Sequence, residues 1–272
     1  MNAPRYVLSL SLCVSLVCGV AIAQSQTEQE YMVEMRDKVH LATSVFLPEG
    51  DGPWPAIVTR TPYGKDRYGQ QAGRYTAAGY AFVTQDSRGK FKSEGEYFPF
   101  EDDMPDGYDT VEWIAAQPWC DGKVGITGAS AMCIADNLAA AANPPHLVAA
   151  YVIVAPEGLF NQSRFIGGVF KESHAGDWMR RQGAGDQIPA LKKRVVMDDG
   201  WKETDFQFHR HKVDIPVYNV GGWYDIFSQG NINNFVWLQE EGKPGARGNQ
   251  KLIMGPFGHG QLGGDLDYPD GG

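Results

Sequence analysis

The sequence predicts an α/β fold, a mostly parallel sheet with helices on both faces. Three observations lead there. Short apolar runs recur along the chain, and several end in Gly-rich or Asp-containing turns. Segments with helical periodicity lie between them. No internal repeat, low-complexity tract or long linker divides the chain. With 272 residues, 43% hydrophobic and 21% charged, one compact domain is the simplest expectation, burying roughly three quarters of its unfolded surface.

Residues 32–35 and 41–46 read as two strands around the polar turn Arg36-Asp37-Lys38. Residues 56–59 form a short buried strand running into the loop at residues 60–64. Residues 80–84 form another, ending at Asp86. Residues 102–117 read as a helix, with Tyr108, Val111, Ile114 and Ala115 on one face. The strand at residues 124–127 runs directly into Gly128-Ala129-Ser130. The Ala-rich helix over 131–142 follows, stopped by Pro144-Pro145. The continuous apolar run at 147–154 is expected to be a strand buried on both faces. Residues 215–220 and 252–254 repeat that pattern. Between about residues 157 and 213 the chain turns polar, which reads as a mainly helical cap over the carboxyl ends of the strands, the edge where open α/β sheets bind ligands.

Arg5, the apolar run 6–20 and Ala21-Ile22-Ala23 fit a signal peptide over residues 1–23, leaving Gln24 as the mature N-terminus of a domain over 24–272. The run is short for a membrane span, although a retained signal anchor is the alternative. Cys18 invites a lipoprotein reading, but Leu16 and Val17 fill the preceding positions poorly. The expected location is therefore secreted or periplasmic, with no membrane association after cleavage. The net charge of −9 repels phosphate backbones and anionic lipids, which excludes nucleic acid as a partner class. After cleavage only Cys120 and Cys133 remain, neither a disulfide scaffold nor a metal site by spacing.

The strongest chemical signal is strand, then Gly128-Ala129-Ser130, then helix. A nucleophile elbow needs that context to present a hydroxyl at the sheet edge, while the helix N-terminus aims free N–H groups, Ala131 first, at a developing oxyanion. Met132 occupies the final glycine position of G-x-S-x-G. A serine nucleophile needs a base, and the base needs an orienting carboxylate. Asp225 follows the strand 215–220 through Gly221-Gly222-Trp223-Tyr224. His259 follows 252–254 through Gly255-Pro256-Phe257-Gly258. Ser130, Asp225 and His259 thus appear in the α/β-hydrolase order, each just beyond a strand. Each has a plainer alternative: a buried turn serine, a helix-capping Asp before Ile226 and Phe227, and a surface-loop histidine. Among the others, His40 lies in a strand, His146 follows the proline pair, and His174, His209 and His211 belong to the cap. His209-x-His211 lacks further ligands at metal-site spacing.

Five spaced motifs resemble the cocaine-esterase and X-prolyl dipeptidyl-peptidase family, over about residues 30–260. They are Arg60-Thr61-Pro62-Tyr63-Gly64-Lys65; Asp86-Ser87-Arg88-Gly89 with Ser93-Glu94-Gly95; Asp106-Gly107-Tyr108-Asp109-Thr110 through Trp113; Gly221-Gly222-Trp223-Tyr224-Asp225; and Gly255-Pro256-Phe257-Gly258-His259. The resemblance implies an α/β-hydrolase fold with a helical cap, a Ser-Asp-His triad, and the Tyr63 hydroxyl as oxyanion donor beside the Ala131 N–H. A phenol O–H in a Pro-fixed, Gly-flanked loop suits that role; a packed tyrosine with a satisfied hydroxyl is the alternative. Asp86 and Arg88 read as loop braces. Family members cleave esters and amides, including α-amino acid esters, acylated β-lactam side chains and X-Pro peptides. This chain departs in Ala131, where the family has Tyr, and in Cys133, where it has Gly. It stops 13 residues after His259, so the family's C-terminal β-sandwich is absent, and the cap is short.

The leading expectation is a serine hydrolase acting through an acyl-enzyme on a small-molecule ester, amide or short peptide, without metal or cofactor. The alternative is a non-catalytic or truncated remnant that binds without cleaving. A metal-dependent hydrolase using the cap histidines is a weaker third.

Overall fold

The polar turn at Arg36-Asp37-Lys38 is too short for a crossover, so the strands it joins, β1 (Glu28–Glu34) and β2 (His40–Phe46), pair antiparallel. The computed structural model describes residues 28–260, and the signal-peptide reading of residues 1–23 lies outside the described residues. The later apolar runs become β3 (Trp54–Thr61), β4 (Ala81–Asp86), β5 (Cys120–Ala129), β6 (Leu147–Ile153), the short pair β7 (Phe165–Ile166) and β8 (Val169–Phe170), then β9 (Val217–Gly222) and β10 (Lys251–Gly255). Between them lie α1 (Lys65–Gly69), α2 (Ala72–Thr76), α3 (Asp103–Ala115), α4 (Ala131–Ala142), α5 (Asp177–Arg181), α6 (Ile188–Leu191), α7 (Asp199–Thr204) and α8 (Ser228–Glu241). The main sheet runs β1-β2-β4-β3-β5-β6-β9-β10, antiparallel at β1-β2-β4 and parallel from there on.

One face packs on α3 and α4, where Val58, Val124 and Ile126 meet Val111, Ile114 and Leu138. On the other, Ala72 and Tyr75 of α2 cover Phe46, Ile57 and Phe82, with Tyr75 stacked on Phe82 at 4.2 Å. That second cover stops near β3. Beyond it a groove of about 1030 Å³ crosses the sheet, lined by residues that include Thr59, Val148, Tyr151 and Tyr218. The expectation that residues 147–154 are buried on both faces therefore fails: Val148 and Tyr151 are exposed. An apolar run shows that a strand can be covered twice, but the cover itself must come from elsewhere in the chain.

Buried charge ties α3 to the sheet. Arg60, at the carboxyl end of β3, pairs with Asp103 at 2.9 Å and donates to Gln85 Oε1 at 2.9 Å. Arg88 bridges Asp106 and Asp37, and Asp86 accepts the backbone N–H groups of Lys65 and Lys92. Asp86 and Arg88 thus act as the loop braces anticipated from sequence. Cys120 and Cys133 are free and buried.

The chain between β6 and β9 consists of short helical turns, α5 to α7, and the β7-β8 pair, with Phe165 opposite Phe170. Its Phe165, Trp201 and Phe206 join the main core, whereas Met179, Ala184 and Ile188 form a separate cluster.

Gly107 lets α3 cross α4 closely, since a Cβ there would lie 2.4 Å from Ala139 Cβ. Gly107→Val is expected to destabilise the protein by about 1–3 kcal/mol through overpacking. An unchanged urea midpoint would show that the crossing has slack.

Candidate active site

The parallel register aligns the strand ends. Ala129, Ile153, Val220 and Ile253 sit opposite one another across β5, β6, β9 and β10, and Val58 opposite Ile126 sets the end of β3 level with them. Loops leaving these strands share one rim, and they carry Tyr63, Ser130, Asp225 and His259.

Ser130 has φ 58° and ψ −118°, a conformation L-residues avoid. Its N–H donates to Ile153 O at 2.9 Å. The turn requires glycine at 128, where a Cβ would meet Met132 Cβ at 2.5 Å and Asp136 Oδ2 at 2.7 Å. Cys133 fits the elbow fully buried, its S–H donating to Ser130 O. Ala131, Met132 and Cys133 are thus compatible with the elbow geometry. As the first residue of α4, Ala131 presents an N–H without an intrahelical acceptor.

Ser130 Oγ lies 2.7 Å from His259 Nε2, and His259 Nδ1 lies 2.6 Å from Asp225 Oδ2. The Asp225 side chain is fully buried. Its other oxygen accepts the Phe227 N–H at 2.7 Å, a local turn ahead of α8, whose N-cap is Phe227 without a side-chain cap, so the helix-cap alternative for Asp225 does not hold. With Nδ1 protonated to donate to Asp225, Nε2 is left as the acceptor for the serine hydroxyl. Phe227 and His174 pack edge-on near the His259 ring, at 5.4 and 6.2 Å.

The Tyr63 hydroxyl accepts a hydrogen bond from Trp178 Nε1 at 2.9 Å. Burial pushes its pKa up, opposed in part by that bond, so the phenol keeps its proton. With one lone pair taken by the indole, the O–H is free to point elsewhere. Burial also raises Cys133 well above the usual thiol range, with Asp136 and Asp225 adding to it. Asp136, behind the elbow, is likewise raised well above the usual carboxylate range by burial, opposed in part by Arg60.

Sequence reasoning missed Trp178 and Phe227 and set His174 aside as a cap residue. Trp178 and His174 sit in the polar stretch it read as a mainly helical cap, and no motif marks them. His209 Nε2 donates to Glu203 O at 2.8 Å, and its Nδ1 accepts from Lys212 Nζ at 3.2 Å. Among the described residues, one trio of His, Cys, Asp or Glu comes within mutual ligand reach: Glu28, Glu30 and Asp66. Lys65 contacts all three.

The family model described as X-Pro dipeptidyl-peptidase (S15 family) matches residues 37–196 and 186–261. Cocaine esterase of Rhodococcus sp. (strain MB1 Bresler) is 30% identical over 284 residues, covering 85% of this chain and 48% of that enzyme. The chain thus spans about half the length of that relative. A CocE/NonD family hydrolase from Staphylococcus aureus superposes with a TM-score of 0.74 at 23% identity, over 85% of this chain and 46% of that one. An α-amino acid ester hydrolase gives 0.69 at 24% identity, over 93% and 52%. The structural likeness establishes the α/β-hydrolase fold.

Burial, followed by nearby Lys171, His259 and Arg164, pushes His174 down to about 4. An unfolded histidine titrates near ~6.5, so in the window between these values the unfolded chain binds more protons. Stability from this group is present above that window and is lost as pH falls through it. His174→Gln should lose less stability than the unsubstituted protein between neutral pH and pH 5. Parallel urea midpoints at both pH values would refute this.

Proposed function

Because the chain belongs to the X-Pro dipeptidyl-peptidase (S15) family, we propose that it is a serine hydrolase cleaving ester or amide bonds through an acyl-enzyme at Ser130. The observation that carries the reading is the continuous relay from Ser130 Oγ to His259 to Asp225, with links of 2.7 and 2.6 Å.

In this reading His259 Nε2 takes the Ser130 proton as Oγ attacks the substrate carbonyl. Asp225 fixes the tautomer and balances the imidazolium that forms. The oxyanion is held by the Ala131 N–H and the Tyr63 O–H, whose direction Trp178 constrains. His259 then returns the proton to the leaving group, and water repeats the sequence on the acyl-enzyme. His174, neutral down to about 4, places no competing charge beside the imidazolium. The substrate is a small ester, amide or short peptide, admitted beneath the insert between β6 and β9, which serves as the cap. Export through a leader at residues 1–23 belongs to the same proposal.

Fluorophosphonate should label Ser130, and Ser130→Ala should abolish release of p-nitrophenol from short acyl esters. A folded protein that neither reacts with the probe nor turns over these esters would instead favour a non-catalytic binding role. Tyr63→Phe should lower kcat by roughly 10²–10³, as loss of one oxyanion donor does, with a much smaller change in KM. A kcat within about threefold of the parent would remove Tyr63 from the oxyanion site.

A further inference from the structure

Among the described residues six aspartates are buried: Asp86, Asp103, Asp106, Asp136, Asp205 and Asp225. Asp86 accepts the N–H groups of Lys65 and Lys92, and Asp205 those of Phe160 and Gln207. Asp103 pairs with Arg60 and Asp106 with Arg88, while Asp225 holds His259 and the Phe227 N–H. Asp136 is the exception. It lies on α4, 2% exposed, and no described residue donates to its side chain or forms an ion pair with it. Its Oδ2 is buried without a partner. An ionised carboxylate in such a place costs far more than a neutral acid.

Asp136 Oδ2 lies 2.7 Å from the point where a Cβ on Gly128 would stand, and the carbonyl carbon of Met132 lies 2.9 Å from the same point. The carboxyl therefore packs against the turn that carries Ser130, and the bare Gly128 makes room for it. It follows Ala131, the first residue of α4, by five residues, a rise of about 7.5 Å. Its charge reaches the elbow. After burial, Asp136 is the next influence that raises the Cys133 thiol, ahead of Asp225, and that thiol donates to Ser130 O. Burial likewise raises Asp136 itself, opposed by Arg60 of β3 and assisted by Asp103 of α3. Arg60 is already engaged, with Asp103 at 2.9 Å and Asp106 at 3.7 Å. The turn Arg210–Lys212 and strand β6 also pack on α4, but no described charge of theirs acts on Asp136.

We propose that Asp136 is a positioning residue, an uncharged acid beneath the nucleophile elbow, and that its ionisation as pH rises weakens the oxyanion site and slows acylation. This rests on the hydrolase reading above. Acylation places a negative charge on the carbonyl oxygen at the positive end of α4. A neutral carboxyl leaves that end of the helix undisturbed. A carboxylate buried further along the same helix opposes the new charge through a medium that screens it poorly. Asp225 already balances the imidazolium, so the loss falls on the oxyanion.

Asp136→Asn keeps the shape and cannot ionise. On p-nitrophenyl butyrate, kcat of the unsubstituted protein should fall by about tenfold or more along the alkaline side of its pH profile. Asp136→Asn should abolish that fall, with little change in KM. Tyr63, whose phenol also loses its proton on that side, is the competing source. In Tyr63→Phe the fall should persist on a lower kcat, a readout that stands even where the Asn variant does not fold. Stability reports on the same group without turnover. An unfolded aspartate titrates near ~3.9, so with the folded value raised the folded chain binds the extra proton. Stability from this group is present below about pH 4 and is lost as pH rises. The urea midpoint of Asp136→Asn should therefore gain on the parent between about pH 5 and pH 8. Three results would each overturn the proposal: superimposable kcat profiles for parent and Asp136→Asn, a fall that vanishes in Tyr63→Phe, or a midpoint advantage of the parent that grows with pH, as an ionised Asp136 paired with Arg60 would give. With Ser130 still labelled and esters still turned over, any of them leaves the hydrolase reading intact. Absence of both labelling and turnover would bring down that reading and this proposal with it.

Discussion

The backbone at Ser130 is the constraint on which the site depends. Its positive φ with ψ near −118° costs on the order of 1–3 kcal/mol, and the surroundings hold it there. Ile153 O accepts its N–H, while its own carbonyl accepts from Cys133 Sγ and Ile134 N. The bare Gly128 Cα lets Met132 close over the turn. Relaxing the turn would free the backbone but swing Oγ away from His259 and withdraw α4's first N–H from the same point in space. The strain is therefore what brings the Ser130 hydroxyl and the first N–H of α4 to one point on the rim.

Asp225 couples His259 to the wall of the candidate site. One oxygen fixes His259 and the other fixes the N–H of Phe227, whose ring then packs near the same imidazole. Orientation of the His259 ring and closure of its apolar side follow from one buried carboxylate. Tyr63 is fixed from the opposite side, by a tryptophan of the insert rather than by the sheet. The insert consequently contributes to the placement of Tyr63.

What the sequence made legible was what depends on local pattern. Apolar runs ending in glycine turns located the strands, and parallel register then brought Ser130, Asp225 and His259 to one rim. The helix α8 escaped because its buried face includes Gly230, Asn231 and Asn234. Those amides are not apolar stripes; Asn231 satisfies Ala155 N and Phe227 O, and Asn234 satisfies Pro156 O. Helices α1 and α2, five residues each, are too short to show a period. The half-open sheet face was illegible for a different reason, since the run at 147–154 reads the same whether or not another segment covers Val148 and Tyr151. Arg164 and Trp178 lie in helical turns without sequence periodicity, so only three-dimensional contact discloses their relation to Tyr63.

The pairing of buried charge elsewhere in the molecule sharpens the meaning of Arg164. Arg60 is buried to the same degree, yet it has an ion pair with Asp103, a hydrogen bond to Gln85 and a further contact with the Asp103 carbonyl. Arg88, less deeply buried, holds two carboxylates. Where a guanidinium only braces this fold, acids are supplied to it. Carboxylates are plentiful, 33 against 24 Lys and Arg in the chain, so composition does not explain why Arg164 has no carboxylate partner among the described residues. Arg164 rests instead on the faces of Phe100 and Trp178, so ring contacts stand where Arg60 and Arg88 have carboxylates, next to the indole that donates to Tyr63.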